Sequence, residues 1–186
     1  MIVKHIPNIL TLARTLLIAP FLFFLKQQQY DWAFYTFLFA GLTDAFDGWL
    51  ARSFDCKSIL GSFIDPLADK LLIASSFFSL ALIGKLPWWL MVLVFMRDIT
   101  ILLGIVTWVY LLKNHIDLRP TKLSKFNTLL QLTLVTLSLF ELAFFEFSTI
   151  LIHLLVALTT ITTAATYLDY AWTWGKKAYA KIHKAT

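Results

Sequence analysis

The sequence contains a single cysteine, Cys56, among 186 residues. One cysteine excludes an intrachain disulfide and leaves no thiolate cluster for a soft metal. Cys56 falls in a short basic connection and is given no role. Histidine is also scarce. None of the four, His5, His115, His153 and His183, lies in the acidic motif described below, so the usual zinc ligands are missing there. There is no internal repeat, no low-complexity stretch and no Gly/Ser linker. A single domain over residues 1–186 is therefore expected. The first apolar run leads into further apolar runs without a cleavage-like site, so no cleavable signal peptide is expected.

What the chain has in abundance is apolar surface. Its residues are 59% hydrophobic, with a mean hydropathy of +0.75. That is too apolar for a soluble domain of this size. A bilayer core requires about 20 apolar residues per helix. Six such runs are read at roughly 7–25, 32–50, 66–83, 87–112, 126–147 and 149–172. They are long and continuous rather than alternating with period two, which favours helices over a β-barrel. The expected fold class is all-α: a polytopic membrane protein with six transmembrane helices.

The formal net charge is +5, but its distribution argues against nucleic acid as a partner. Eleven cations lie at the N-terminus, in the second–third and fourth–fifth connections, and in the C-terminal tail. They are Lys4, Arg52, Lys57, Lys113, Arg119, Lys122, Lys125, Lys176, Lys177, Lys181 and Lys184. The opposite connections hold Lys26 and Lys85 only. The positive-inside rule then puts both termini on the cytoplasmic side. The basic tail suits an anchor on anionic membrane lipids. Glu141, Glu146 and Asp169 are read as interfacial. Arg14, Lys70 and Arg97 remain within apolar runs.

Four aspartates break the apolar pattern at one place, around the second–third connection and hence near the cytoplasmic face. Each carboxylate at mid-bilayer costs about 2.5–3.5 kcal/mol, and such groups usually face a cavity, a partner or an ion. Asp44 and Asp47 are three apart, and Ala51 follows four later, so they share a helix face. Gly48 flanks that stripe and leaves room for a ligand. Asp65 and Asp69 are four apart and share a face if one helix runs through both. Pro66 complicates this, because the residue before proline avoids the α region. Asp65 alone would suit a helix N-cap with proline at N1. Beside three other aspartates, the ligand reading is preferred. Carboxylates are hard ligands suited to Mg²⁺ or Mn²⁺. Four ionised aspartates match two divalent ions, and such a pair can grip a diphosphate. Arg52 adds a planar fork suited to phosphate oxygens.

The full pattern is D-x2-D-G-x2-A-R-x8-G-x3-D-x3-D, from Asp44 to Asp69. It resembles the signature of the CDP-alcohol phosphatidyltransferases. The likeness extends to Ile6-Pro7-Asn8-Ile9-Leu10-Thr11-Leu12-Ala13-Arg14 and to Arg119-Pro120-Thr121-Lys122-Leu123-Ser124-Lys125-Phe126-Asn127-Thr128, continuing to Gln131. The resemblance implies transfer of a phosphatidyl group from CDP-diacylglycerol to an alcohol, with release of CMP. It implies that Asp44, Asp47, Asp65 and Asp69 form the metal site, with Asp69 also the general base. It places Gly48, Ala51, Arg52, Gly61, Asn8 and Thr11 at the nucleotide donor, and it implies a homodimer.

The acceptor is read from residues outside the motif. Arg97, Arg119, Lys122 and Lys125 form a candidate basic pocket for an anionic glycerol-type or phospholipid acceptor. Arg97 beside Asp98, and Asn127 in place of a lysine, look closer to the eukaryotic-type cardiolipin synthases, which use phosphatidylglycerol. The alternative is the phosphatidylglycerophosphate synthases, which use glycerol 3-phosphate. A divalent-cation transporter would explain the carboxylates but not the spacing of Gly48, Ala51, Arg52 and Gly61. An intramembrane prenyltransferase would need no nucleotide pocket.

Overall fold

A computed structural model describes residues 6–54, 59–112, 121–146 and 148–182. Among these residues there are six helices and no strand. They are α1 (Ile6–Lys26), α2 (Tyr30–Phe54), α3 (Ile59–Leu82), α4 (Trp88–Leu112), α5 (Lys122–Ala143) and α6 (Thr149–Ile182). All six expected apolar runs therefore appear as helices. Cys56, Lys57 and Arg119 lie outside the described residues.

The helix ends follow from local chemistry. Thr121 precedes α5 as an N-cap, its Oγ1 accepting the Ser124 N–H at 3.2 Å and satisfying a first-turn donor. α3 closes through Gly84, whose φ of 80° lets Lys85 N reach Leu80 O at 2.9 Å. A glycine in that left-handed position ends a helix without a Cβ clash. The α1–α2 turn uses the same geometry with a residue that bears a side chain. Gln28 has φ 59°, and Gln29 N donates to Phe24 O at 2.9 Å.

Two compact units are distinguished, residues 1–86 with 135–152, and residues 87–134 with 153–186. In the first, α1 packs against both α2 and α3. Phe21 and Leu25 of α1, Ala33, Phe37 and Ala40 of α2, and Leu72, Ile73, Phe77 and Leu80 of α3 are buried. Phe21 and Phe37 meet with ring centroids 5.9 Å apart. Phe34 meets Phe140 and Phe144 edge-on, each at 5.5 Å. Lys85 pairs with Glu141 at 2.7 Å, so Glu141 is engaged in an ion pair rather than simply solvated.

The second unit buries apolar side chains such as Leu90, Val94 and Leu134, yet it also exposes apolar side chains and buries polar ones. Leu103, Leu129, Ile161 and Leu168 are exposed, whereas Arg97, Asn127, Gln131, Thr159, Thr163 and Thr166 are buried. In water this arrangement would leave apolar surface wet and polar groups dry, the reverse of what the hydrophobic effect favours. Among the described residues, α5 and residues 150–172 of α6 are each long and apolar enough to cross a membrane.

Candidate functional site

The acidic motif lies on helix, not on a loop. α2 runs on to Phe54 and α3 begins at Ile59, so all four aspartate positions are within helical backbone. The N-cap alternative for Asp65 is thereby corrected. α3 starts six residues earlier and continues through Pro66. Asp65 and Asp69 thus share one helical stripe, separated by one turn.

The register of each helix relates these positions to the buried ones on the same helix. On α2 the buried positions Ala33, Phe37 and Ala40 recur at intervals of three and four, and the same stripe continues through positions 44, 47 and 51. On α3 the buried positions Ala68, Leu72, Ile73, Ser76 and Leu80 define a stripe that includes 65 and 69. On α1 the buried positions Arg14, Phe21 and Leu25 extend back to 11. In each helix the stripe is apolar along one stretch and polar along another. The short turn at 27–29 makes α1 and α2 antiparallel. The polar start of α1 and the acidic end of α2 therefore lie at the same end of that helix pair.

The side chains of Asp44, Asp47, Gly48, Ala51, Arg52, Gly61, Asp65, Asp69, Asn8 and Thr11 lie outside the described residues, and their placement on α1, α2 and α3 comes from the backbone. Among the described residues there is no cluster of three or more metal-ligating side chains. The donor set itself, four carboxylates without histidine or cysteine, is one that hard divalent ions accept.

No role for Arg14 follows from the sequence alone. It is wholly buried on the polar stretch of the α1 stripe, one turn from Thr11.

The candidate acceptor residues belong to the second unit. Arg97 is 1% exposed. Its Nη1 donates to Asp98 Oδ1 at 2.6 Å, and its Nη2 donates to Ser124 Oγ at 2.6 Å. This is the neighbour pairing that burial of a guanidinium demands. Lys122 and Lys125, on the first turn of α5, are exposed. Asn127 is buried, and its Oδ1 accepts from Thr162 Oγ1 at 2.8 Å and Thr163 Oγ1 at 2.9 Å. From the sequence, Asn127 stands only as an asparagine in place of a lysine. Its partners lie 35 and 36 residues away, on α6.

Comparison with known proteins follows the same residues. Residues 4–167 match the model of the CDP-alcohol phosphatidyltransferase family. A probable cardiolipin synthase (CMP-forming) of Drosophila melanogaster is 37% identical over 90% of this chain and 57% of its own length. A cardiolipin synthase (CMP-forming) of Rattus norvegicus is 33% identical over 95% of this chain and 63% of its own length. A CDP-diacylglycerol–glycerol-3-phosphate 3-phosphatidyltransferase of Aquifex aeolicus is 30% identical over 89% of this chain and 93% of its own length. The chain thus spans about three fifths of the first two relatives.

Proposed function

The chain belongs to the CDP-alcohol phosphatidyltransferase family, and from that premise we propose that it transfers the phosphatidyl group of CDP-diacylglycerol to a hydroxyl of a glycerol-containing acceptor, releasing CMP. The observation that carries this reading is the complete pattern from Asp44 to Asp69, carried on the helical backbone of α2 and α3. A cation transporter needs the carboxylates alone, and nothing in the comparisons points to one.

In this reading Asp44, Asp47, Asp65 and Asp69 hold two Mg²⁺ or Mn²⁺ ions, which when bound neutralise charge on the diphosphate. Gly48, Ala51 and Gly61 present little side chain to the cytidine nucleotide, together with Asn8 and Thr11 of α1. Arg52 binds phosphate oxygens through its planar fork. Asp69 accepts the proton of the attacking hydroxyl. The hydroxyl oxygen forms a bond to the phosphorus that bears diacylglycerol. The bond from that phosphorus to the CMP oxygen breaks, and CMP leaves with the electron pair.

The preferred acceptor is phosphatidylglycerol, which would make the product cardiolipin. Similarity to the two cardiolipin synthases over nine tenths or more of this chain supports it. Asn127 supports it as well, because a buried neutral amide bonded to threonines offers no phosphate-binding charge. Glycerol 3-phosphate is the second reading, favoured by the Aquifex relative of nearly equal length. Arg97, Arg119, Lys122 and Lys125 are the candidate contacts for either anionic acceptor.

The protein is proposed to be integral to the membrane, with six spans, both termini and the aspartates on the cytoplasmic side, and to act as a homodimer. The shortest helix has 21 residues, about 30 Å at 1.5 Å per residue, which matches a bilayer core. The test is purified protein in liposomes with labelled CDP-diacylglycerol and Mg²⁺ or Mn²⁺, offered phosphatidylglycerol or glycerol 3-phosphate. CMP release with labelled cardiolipin is the expected result. Labelled phosphatidylglycerophosphate instead would select the second reading, and no CMP with either acceptor would refute the transferase assignment.

A further inference from the structure

The seam between α5 and α6 contains hydrogen-bonding capacity that the proposed chemistry does not use. The two helices are joined by a short connection at 144–148 and run antiparallel. Their pairing in the second unit is fixed by Asn127, whose Oδ1 accepts from Thr162 and Thr163. One turn onward along α5 from Asn127 is Gln131. One turn back along α6 from Thr163 is Thr159. The register therefore brings Gln131 opposite Thr159, and both are 0% exposed.

At this station four buried polar atoms have no hydrogen-bond partner among the described residues. They are Gln131 Oε1, Gln131 Nε2, Asn127 Nδ2 and Thr159 Oγ1. Thr159 differs from its neighbours in this respect. Thr160 and Thr166 each donate to the carbonyl four residues earlier, at 2.7 and 2.8 Å, and Thr162 and Thr163 face Asn127 Oδ1. A fully buried amide with both ends unsatisfied is costly and uncommon, and such groups usually receive a water or ligand.

The chemistry of the set selects its ligand. Two amide NH₂ groups donate, one amide carbonyl accepts and one hydroxyl does either. None of the four atoms carries charge. A phosphate or a metal ion would find no counter-charge here. A neutral hydroxyl group would donate to Gln131 Oε1 while accepting from Nε2 or from Asn127 Nδ2. We propose that Gln131, Asn127 and Thr159 form a binding station for one neutral hydroxyl group, with Gln131 as its main recognition residue. Two sources share that chemistry, a resident water and an alcohol group of the acceptor. The second source rests on the transferase reading.

The full chain carrying Gln131→Met keeps side-chain length and loses both hydrogen-bonding atoms. Its apparent melting temperature in detergent and its kinetics in liposomes are compared with wild type. If the hydroxyl comes from the acceptor, KM for that acceptor rises about tenfold while kcat, donor KM and melting temperature hold. If it is a resident water, kinetics hold and the melting temperature falls by several degrees, because Asn127 and Thr159 lose their bridge. An unchanged or raised melting temperature with unchanged kinetics overturns the proposal, since an amide that binds nothing is better replaced by an apolar group. Thr159→Val provides a second variant of the same shape. Combined with Gln131→Met it should show non-additive effects, and strict additivity counts against a shared ligand. A wild-type protein that releases no CMP defeats the transferase reading while leaving the melting arm readable.

Discussion

Arg97 Nη2 donates to Ser124 Oγ at 2.6 Å, tying α4 to the first turn of α5 across 27 residues. The bond also orients the guanidinium so that Nη1 meets Asp98. Ser124 is itself held by the Thr121 cap through its backbone N–H. A charge buried in an apolar helix thus depends on how α5 begins.

Removing that charge should be expensive. Arg97→Ala leaves the buried Asp98 carboxylate without this cation, and a loss of about 3–5 kcal/mol is expected. Ser124→Ala removes one charge-assisted bond and should cost about 1.5–3 kcal/mol. Unfolding of the purified variants in mixed micelles measures both. If Arg97→Ala is no less stable than Ser124→Ala, the ion pair is not what holds α4.

The six helices, and the helical backbone under the acidic motif, were legible in the sequence because both depend on local periodicity. Apolar runs of helical length announced the helices, and the three- and four-residue spacing of Asp44, Asp47, Asp65 and Asp69 announced shared faces. The extension of α3 through Pro66 was less visible. Proline lacks a donor and disfavours helix in the residue before it, and a local reading has no way to weigh this against packing on α1. The seam of Asn127, Gln131 and Thr159 was hidden for a different reason. Its register depends on contacts made 35 and 36 residues away in sequence. Neither helix reveals by itself which polar positions will meet.

The separate roles assigned to the aspartates predict different losses. Asp69→Asn should lower kcat by about 10²–10⁴-fold, the range typical for a lost general base, while much of the Mn²⁺ affinity remains. Asp44→Asn should weaken Mn²⁺ binding as well as turnover. Manganese titration followed by paramagnetic resonance, run beside the CMP-release assay, separates the two. Wild-type turnover by Asp69→Asn would remove it from the base role.

Gln28 occupies left-handed backbone with φ 59°, a conformation that glycine adopts without a Cβ clash. Gln28→Gly should therefore stabilise the α1–α2 turn by roughly 1 kcal/mol. Gln28→Val, with a branched Cβ, should destabilise it. The turn lies at the opposite end of α1 from Asn8 and Thr11, so CMP release should not change in Gln28→Gly. A lowered melting temperature in that variant would contradict the strain argument.

The ion pair of Lys85 with Glu141 gives the last test. Lys85 follows the glycine-closed end of α3, and Glu141 lies in the last turn of α5, with the two charges 2.7 Å apart. Their side chains are 22% and 10% exposed, so solvent screens them less than a surface pair. Lys85→Met strands a largely buried carboxylate, one oxygen of which already has no hydrogen-bond partner among the described residues. A cost of about 1–3 kcal/mol is expected. Replacing both partners, Lys85→Met with Glu141→Leu, removes the stranded charge and should recover most of that loss, because an apolar pair of similar volume avoids desolvation. The order of melting temperatures should be wild type, then the double variant close to it, then Lys85→Met lowest. A double variant less stable than Lys85→Met would mean that Glu141 is held by something other than Lys85.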